Sequence, residues 1–594
     1  MQTLNDVHQQ FASFFKSETL QPYAYLVSKK LSEGHICLQL EELDTEKENL
    51  PAYYKWNGMV DLLNEKLVTS AEGIKQPFIL HNKRLYLQRY FNYETMILNR
   101  IMEFIAAEKI LEAERTDLLN KHQSFIKGLF NSAGPEGKMI ANWPLAAVIT
   151  GILNNFTIIT GGPGTGKTTT VAKILAILFM MDPGLKVALA APTGKAAARM
   201  AESLKKANLQ VDAGITEKFQ SMQPSTIHRL LKYIPDSPYF KHNRQNPLDY
   251  DVLIIDESSM IDVALFAKLL DAIGPKTRLI LLGDKDQLAS VEAGSLFGDL
   301  CQAQKSLNIF TESRAGLINS FIEFSSAQIT QNSIAEKADH PLFQHIIELQ
   351  YSHRFKAEEG IGKFSGAIIQ NDEEVIQSFL IPGADLQVQV DMEYSQKLFE
   401  DFVKGYEEYI REKDIKTALL KLNRLKILCA IRDGEQGLYA LNRKVEKYLS
   451  ERKLISITNE FYEHRPILVS SNNYVLGLFN GDVGIIRKDE KGVLKAWFED
   501  SEGTIIPFIP GLLSSVETVY AMTIHKSQGS EFDRVMLVLP DVENISILTR
   551  ELVYTGLTRA KSRILLQGRE AIILQAANAR VQRASGIAQR FSEQ

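Results

Sequence analysis

A glycine-rich run that starts at residue 161 has the clearest chemical meaning in this sequence. It fits the pattern GxxxxGK[ST], directly after an apolar, strand-like run and at the start of a helix-like run. Glycines let the backbone wrap its N–H groups around a phosphate, and a helix N-terminus adds partial positive charge. Lys167 would reach the β- and γ-phosphates, and the Thr168 hydroxyl would ligate Mg²⁺. The pattern predicts a site for ATP and Mg²⁺ formed by Gly161, Gly162, Pro163, Gly164, Thr165, Gly166, Lys167, Thr168 and Thr169.

Two adjacent carboxylates, Asp256 and Glu257, end an apolar run about 90 residues after this loop. Strand ends in open parallel sheets face the ligand crevice, so both side chains would lie near the bound phosphates. Asp256 would hold Mg²⁺, and Glu257 would orient and deprotonate the attacking water. Gln287 follows a third apolar run and could bond both the γ-phosphate and that water. These residues predict hydrolysis of the nucleotide and a loop that senses whether it is intact.

Short apolar runs that alternate with helix-like runs would position these side chains. One set lies at residues 156–160, 187–191, 252–255 and 279–282, and a second at 426–430, 519–523, 535–539 and 564–566. Buried strands that alternate with helices predict parallel sheets covered on both faces. The predicted fold class is therefore α/β, with two lobes of this kind.

Two further regions have different patterns. Residues 1–135 are predicted to form a mainly helical N-terminal domain, with an extended piece at 84–87 and helices at 94–110 and 111–130. It contains no catalytic constellation, which indicates an interaction module. Short strands predicted at 466–469, 475–479, 483–487, 493–498 and 504–508 are separated by turns such as Asn480-Gly481-Asp482. We predict lobe 1 at 136–340, lobe 2 at 341–594, and a small SH3-like all-β insert at about 460–515 within lobe 2.

The composition is ordinary for a globular protein, with 45% hydrophobic and 23% charged residues and a net charge of −5. This charge argues against a protein that coats DNA, but a motor needs only a locally basic channel. The sequence lacks both a long uncharged apolar run and a secretory signal pattern. Cys37, Cys301 and Cys429 are far apart and are expected to be buried and unpaired. These features predict a cytoplasmic protein without a zinc or iron–sulfur site.

Further segments resemble the motifs of superfamily 1 helicases, in the expected order. With the nucleotide motifs, they are residues 191–197, 225–230, 349–355, 523–532 and 553–560. The resemblance implies two RecA-like P-loop lobes and an ATP-driven DNA motor. Arg354 and Arg559 would come from lobe 2 to the γ-phosphate and draw the lobes together, because a cation there stabilises the transition state. It also implies strand contacts by Pro192, Thr193, Lys195, Thr226, His228, Thr523, His525 and Ser527.

A closer resemblance is to the RecD family, on the 5′→3′ branch of this superfamily. It rests on residues 34–38, 85–90, 474–484, 521–532, 549–559 and 583–586. The resemblance implies a 5′→3′ DNA helicase subunit of a RecBCD-type helicase–nuclease, which acts on single-stranded and duplex DNA ends in double-strand break repair and homologous recombination. RecB-like and RecC-like subunits would complete a heterotrimer. The N-terminal domain would dock on the RecC-like subunit, and nuclease chemistry would belong to the RecB-like one.

One position departs from the family pattern. Family members usually carry a glutamine after a tryptophan ahead of the P-loop, where it reads adenine, but Pro144 follows Trp143 here. Proline has no donor side chain, so the sequence leaves the selectivity for adenine open.

Three alternatives remain open: a second helicase function, a protein of another class, and a different nucleotide enzyme. A stand-alone RecD-like helicase usually has a longer N-terminal extension. A structural subunit with an inactive ATP site would not need the intact site residues. A P-loop kinase or GTPase would leave Arg354 and residues 523–532 without a role.

Overall fold

The computed structural model describes residues 6–46, 50–54, 62–70, 75–130, 141–290, 292–294, 296–304, 306–336, 340–473, 475–500 and 503–593. Within these ranges the chain forms four sheets, two of them parallel. The predicted boundary between the N-terminal domain and lobe 1 lies outside the described residues, as does Tyr474 at the start of one RecD-like segment.

The N-terminal region combines helices with a small sheet of strand order β1-β4-β3-β2. Its elements are α1 (Val7–Ser13), α2 (Gln21–Ser32), β1 (Cys37–Gln39), α3 (Leu43–Glu46), β2 (Val68–Thr69), β3 (Phe78–His81), β4 (Arg84–Leu87), α4 (Gln88–Lys121) and α5 (Gln123–Phe130). The break predicted near residue 110 was wrong. No glycine or proline interrupts residues 94–121, so one helix continues to Lys121.

Lobe 1 is built on a six-stranded parallel sheet of order β10-β5-β9-β8-β6-β7. Its elements are α6 (Trp143–Leu153), β5 (Phe156–Thr160), α7 (Lys167–Met181), β6 (Val187–Ala191), α8 (Gly194–Lys205), α9 (Ala213–Ser221), β7 (Ser225–Thr226), α10 (Ile227–Leu230), β8 (Val252–Ile255), α11 (Val263–Asp271), β9 (Arg278–Gly283), α12 (Leu296–Gln302), α13 (Glu312–Ser320) and β10 (Ile346–Glu348). Strand β10 pairs with β5, so lobe 1 extends past the predicted start of lobe 2 at residue 341.

Lobe 2 is built on a five-stranded parallel sheet of order β11-β20-β19-β12-β18. Together with the insert strands and the last helix of the chain, its elements are α14 (Gly360–Gln370), α15 (Glu373–Leu380), β11 (Val388–Asp391), α16 (Gln396–Val403), α17 (Glu407–Arg411), α18 (Ile415–Leu422), β12 (Leu425–Cys429), α19 (Leu438–Glu451), β13 (Pro466–Val469), β14 (Val483–Lys488), β15 (Leu494–Glu499), β16 (Ile505–Phe508), β17 (Val516–Thr518), β18 (Ala521–Thr523), β19 (Phe532–Val538), α20 (Arg550–Leu557), β20 (Ala560–Gln567), α21 (Glu570–Asn578) and α22 (Ile587–Ser592). The α/β prediction with two parallel-sheet lobes is confirmed.

The insert in lobe 2 is an antiparallel sheet of order β16-β15-β14-β13-β17. Its last strand ends at Thr518, slightly past the predicted limit of 515. The strand predicted at 475–479 was wrong. Gly477 has a φ of +71°, and Asn473 Oδ1 accepts a hydrogen bond from Leu476 N, so the side chain of Asn473 stabilises a turn there.

The last helix, α22, returns to lobe 1 rather than completing lobe 2. Ile587 and Phe591 are buried in the lobe 1 core beside Leu296 of α12 and Ile97 of α4. The core of lobe 1 therefore depends on residues that follow lobe 2 in the chain.

The three cysteines are buried and unpaired, as predicted. Throughout the described ranges, no helix combines the length and the apolar character needed to cross a membrane.

Candidate nucleotide and DNA site

The predicted nucleotide residues follow strands of the lobe 1 sheet at its carboxyl edge. Strand β5 leads into the glycine-rich loop, β8 into Asp256, β9 into Asp284 and β10 into the segment that carries Arg354. Because these strands are parallel, the loops after them lie at the same edge.

The glycine-rich loop has the backbone that a phosphate cradle requires. Gly164 and Gly166 have φ values of +79° and +86°, which favour glycine. A Cβ at Gly164 would clash with Cβ of Arg354, so a larger residue would not fit. Helix α7 begins at Lys167, whose Nζ donates to the carbonyls of Gly161 and Gly162. The ammonium group is thus held at the loop.

The two carboxylates after β8 are held together. Asp256 Oδ1 accepts a hydrogen bond of 2.8 Å from the backbone N–H of Glu257. Burial raises the pKa of Asp256, and the charge of Glu257 adds to this while Lys167 opposes it. Glu257 has a φ of +53°, a left-handed conformation that costs a non-glycine residue about 1 kcal/mol or more. Such strain is common where a side chain must be aimed at a substrate.

The loop after β9 joins the two lobes. Gln287 Nε2 donates to Asp284 Oδ2 at 2.9 Å, and the Tyr554 hydroxyl of α20 donates to the same oxygen at 3.1 Å. Leu288 N donates to Thr555 Oγ1 at 3.0 Å. The predicted sensing residue Gln287 is therefore tied, through Asp284, to lobe 2. Sequence reasoning did not single out Asp284 or Tyr554.

Arg559 reaches the cleft from lobe 2. It is 3% exposed, its Nε donates to Thr555 O at 3.0 Å, and its Nη1 donates to Ser530 O at 3.2 Å. Burial lowers the pKa of Arg559, while the charges of Glu257 and Glu531 oppose this shift. The guanidinium thus lies near the predicted catalytic carboxylate of lobe 1.

Arg354 also lies in the cleft, at the junction of the two lobes rather than inside lobe 2. Its segment is attached to the P-loop, because His353 N donates to Gly164 O at 2.9 Å and Ser352 Oγ donates to Pro163 O at 2.9 Å. Phe355, the next residue, is buried in the core of lobe 2. Arg354 therefore stands where the chain passes from one lobe to the other.

The residues of the cleft fit an anionic ligand. Arg354 Nη1 is buried and has no hydrogen-bond partner within the described part of the chain. A buried guanidinium N–H is costly to leave unpaired, and a phosphate oxygen would satisfy it. The Thr168 hydroxyl and the Asp256 carboxylate supply the oxygen ligands that Mg²⁺ prefers.

Glu531 of lobe 2 gathers several cations, and sequence reasoning missed this cluster. Arg354 Nη2 donates to Glu531 Oε1 at 2.8 Å, Arg199 of α8 pairs with the same oxygen, and Lys561 Nζ lies 3.8 Å from Oε2. Burial alone would raise the pKa of Glu531, but Arg199 and Arg354 outweigh it and lower the pKa to about 2. Arg199–Glu531 is an ion pair between the lobes. In the sequence, the only indication of this cluster is Arg199, which follows Lys195 by one turn of an α-helix.

The predicted strand contacts of lobe 1 lie at the starts of two helices. Thr193 Oγ1 accepts from Ala196 N at 3.2 Å, and Thr226 Oγ1 accepts from Arg229 N at 3.3 Å, so both side chains cap helices. Pro192 precedes the first cap and is partly exposed. Burial lowers the pKa of Lys195 to about 8, while Asp482 of the insert opposes this shift.

The ring of His228 contacts an aromatic neighbour. Its ring packs edge-on against Phe240 at a centroid distance of 5.6 Å.

The predicted strand contacts of lobe 2 differ in accessibility. Thr523 ends β18 and is 8% exposed, and His525 is half-buried. Ser527 is fully buried and its Oγ donates to Ile524 O at 2.7 Å. The predicted strand contact by Ser527 is therefore not formed by its side chain in this structure, because the hydroxyl is buried and stabilises the turn.

Phe479 of the insert packs against lobe 1. The guanidinium of Arg229 lies 4.3 Å from the ring centroid of Phe479, and a Cβ at Gly194 would be 3.9 Å from Phe479 Cβ. Phe479 thus contacts the two helix starts that carry the predicted strand contacts.

Trp143 and Pro144 begin α6. Asn142 caps this helix by accepting from Leu145 N, and Pro144 lies in its first turn, where proline is tolerated. Trp143 Nε1 donates to Gln350 Oε1 at 2.9 Å, which joins α6 to the segment after β10.

Three family models match the chain. They are described as an AAA domain over residues 145–293, a UvrD-like helicase C-terminal domain over 518–566, and the N-terminal domain of RecBCD enzyme subunit RecD over 1–86. These matches support nucleotide use by the chain.

Curated proteins are similar over most of the chain. It is 33% identical over 578 residues to RecBCD enzyme subunit RecD of Mycolicibacterium smegmatis, which covers 95% of this chain and 92% of that protein. The ATP-dependent RecD2 DNA helicase of Deinococcus radiodurans is 29% identical over 413 residues, which covers 69% of this chain and 46% of that protein. A structure of Bacteroides Pif1 bound to ssDNA has a TM-score of 0.36 and 16% identity, and covers 73% of this chain and 94% of that one.

Proposed function

This chain belongs to the family of RecBCD enzyme subunit RecD, and we propose that it is an ATP-dependent 5′→3′ DNA helicase that works as the motor subunit of a RecBCD-type complex. The observation that carries the proposal is the cleft itself. Lys167 is held at the P-loop, Gln287 is linked through Asp284 to Tyr554 of lobe 2, and Arg354 is paired with Glu531 of lobe 2, so hydrolysis of one phosphate can be coupled to movement of two lobes.

The proposed roles follow from placement. Lys167 and the backbone of residues 161–169 hold the phosphates, and Glu257 takes the proton of the attacking water. Thr168 and Asp256 would hold Mg²⁺, which neutralises charge on the β- and γ-phosphates. Gln287 bonds the γ-phosphate or the water, and Arg354 and Arg559 stabilise the transferring group.

DNA would pass over the helix starts of lobe 1 and beneath Phe479. Pro192, Thr193, Lys195, Thr226 and His228 of lobe 1, with Thr523 and His525 of lobe 2, would contact a single strand without reading its sequence. When Arg559 of lobe 2 binds the γ-phosphate the lobes close, and after hydrolysis they part, so the two sets of contacts alternate.

The partners follow from the family. RecB-like and RecC-like subunits would complete the complex, with residues 1–86 as the docking region for the RecC-like subunit and nuclease chemistry in the RecB-like one. The complex would act on DNA ends in the cytoplasm during double-strand break repair and homologous recombination.

Strand separation tests this function directly. The purified chain, alone and with its partners, is given duplexes with a 5′ or a 3′ single-stranded tail, with Lys167→Gln as control. ATP-dependent unwinding from the 5′ tail alone is the expected result. Unwinding from the 3′ tail would contradict the polarity, and absence of DNA-stimulated hydrolysis in the complex would contradict the motor.

A stand-alone helicase is the second candidate, because the RecD2 helicase of Deinococcus radiodurans matches the motor region. The match to RecD reaches 92% of that protein's length, against 46% for RecD2, and this difference favours the subunit. Full unwinding activity without partners, and no change on adding them, would favour the stand-alone candidate.

A further inference from the structure

Residues 579–593, which follow lobe 2, run back across the molecule; we call them the return strap. Val581 N still donates to Glu551 Oε2 of lobe 2 at 3.0 Å. Three residues later, Ala584 N donates to His35 Nδ1 at 3.0 Å, and Ala584 O accepts from Ile36 N at 2.9 Å. The strap thus connects lobe 2 to the N-terminal domain within a few residues.

Buried polar groups anchor the strap beyond that point. Glu94 of α4 is 0% exposed and accepts from Gly586 N at 2.8 Å and from Arg590 Nη1 at 3.4 Å. Ser585 Oγ donates to Asp299 Oδ2 of α12 at 2.8 Å. Buried polar groups are costly to leave unpaired, so these bonds hold the strap to α4 and α12.

Arg583 occupies the centre of this contact. Its Nη1 donates to Gly294 O at 2.9 Å and to Glu292 O at 3.1 Å. On the other side, a Cβ at Gly34 would lie 2.9 Å from Arg583 Cζ, and Gly294 N donates to Gly34 O at 2.9 Å. One guanidinium therefore packs between a turn of the N-terminal domain and the loop of lobe 1 that follows Gln287.

The loop that Arg583 holds begins at the sensing residues. Leu288, next to Gln287, is bonded to Thr555 and Gln528 of lobe 2, and the same loop reaches Gly294 a few residues later. A small displacement of a group that must contact the reacting phosphate lowers the rate strongly. Holding residues 292–294 therefore limits the positions that Gln287 can adopt.

We propose that Arg583 is a positioning residue for the loop that carries Gln287, and that the return strap couples the N-terminal domain to ATP hydrolysis. The proposal rests on the proposed function. The chain crosses between the lobes at residues 349–355 and again at the strap, so closure of the lobes must displace the strap or put it under tension. A partner bound to the N-terminal domain near Gly34 acts on the same contact.

Two substitutions on opposite sides of the contact test the proposal. Arg583→Gln removes the charge and most donors, whereas Gly34→Ala leaves Arg583 intact but pushes against its guanidinium. Both are expected to lower kcat for single-stranded-DNA-stimulated ATP hydrolysis about tenfold, with KM for ATP changed less than about twofold. Both are also expected to reduce the change in kcat that follows addition of the RecB-like and RecC-like partners.

Matched controls separate positioning from stability. Gln582→Ala alters an exposed neighbour in the strap. Gly492→Ala imposes similar backbone strain, with a φ of +79° and nothing within 4 Å of its Cβ, in the insert. Both controls are expected to keep the wild-type kcat, and melting temperatures with the folded fraction are measured for every variant.

The outcomes are distinct. Wild-type kcat per folded molecule in both test variants would overturn the proposal, and Gly34→Ala decides alone if Arg583→Gln does not fold. Equal losses in Gly34→Ala and Gly492→Ala would also overturn it, because strain rather than Arg583 would then be the cause. Absence of DNA-stimulated hydrolysis in the complex formed with the unmodified protein would instead refute the proposed function on which this inference rests.

Discussion

Arg354 donates a hydrogen bond of 2.8 Å to Glu531 Oε1, so an arginine attached to the P-loop is paired with a carboxylate of the other lobe. Arg199 shares that oxygen. A γ-phosphate would compete with Glu531 for Arg354, while Arg199 could keep its link to lobe 2. Glu531 would therefore act as the counter-ion of Arg354 when no γ-phosphate is bound.

Glu531→Gln is expected to make the stability of the protein less dependent on pH in the acid range. The pKa of Glu531 is lowered to about 2, so its contribution to stability is present above its ordinary pKa of 4.5 and is lost as pH falls from there towards 2. The melting temperature of the variant should be several degrees lower than that of the unmodified protein at neutral pH, and this difference should shrink in acid. Calorimetry from about pH 7 to about pH 3 measures it. Glu41→Gln, in an exposed pair with Lys83, is the control with little effect. A difference independent of pH would contradict the assignment.

Glu257→Gln is expected to trap the nucleotide. The amide keeps the size of the carboxylate but cannot accept the proton of water, so hydrolysis should fall about 10²-fold or more while DNA affinity is kept. Single-turnover hydrolysis and fluorescence anisotropy with single-stranded DNA measure the two effects. The control variant Glu312→Gln, which changes an exposed carboxylate of the same lobe, should behave as wild type. Normal turnover by Glu257→Gln would exclude this carboxylate as the base.

Arg559→Ala is expected to impair hydrolysis far more than nucleotide binding. The guanidinium comes from lobe 2 and acts on charge that develops in the transition state, so kcat should fall about 10³-fold. The Kd of a non-hydrolysable ATP analogue should change by only a small factor. Arg563→Ala, on the exposed part of β20, is the matched control. Equal losses in binding and hydrolysis would argue against a role at the γ-phosphate.

Pro144→Gln is expected to increase discrimination between ATP and GTP. Pro144 contributes a helix start and no side-chain hydrogen bond, so the unmodified protein should have similar kcat/KM values for both nucleotides. The glutamine should raise the ATP/GTP ratio, whereas Pro144→Ala, which removes the ring without adding an amide, should not. A high ratio in the unmodified protein would mean that another group reads the base.

Phe479→Ala is expected to speed the release of single-stranded DNA about fivefold, because its contact with Arg229 holds the insert against lobe 1. Stopped-flow dissociation of a labelled oligonucleotide measures this rate. Val475→Ala, 94% exposed in the same loop, is the control. An unchanged rate would remove Phe479 from the DNA path.

Short, contiguous patterns could be predicted well. The P-loop, the strand before Asp256 and the loop with Gln287 each depend on neighbours within a few residues, and their places at one sheet edge follow from parallel strands. The boundary of lobe 1 was placed too early because β10 has only three residues and gives almost no periodic signal. Residues 475–479 form a short, almost wholly apolar run that predicts a strand, but Gly477 has a φ of +71° and the backbone turns there.

The sequence by itself determined the chemistry of the nucleotide loop, the carboxylates and the two parallel-sheet lobes, because each is encoded by local spacing. Only the tertiary structure decided that Glu531 pairs with Arg199 and Arg354, that Ser527 is buried, and that Arg583 lies against Gly34. These contacts join residues that are far apart in the chain. Their geometry depends on how the lobes and the N-terminal domain pack, which no local pattern specifies.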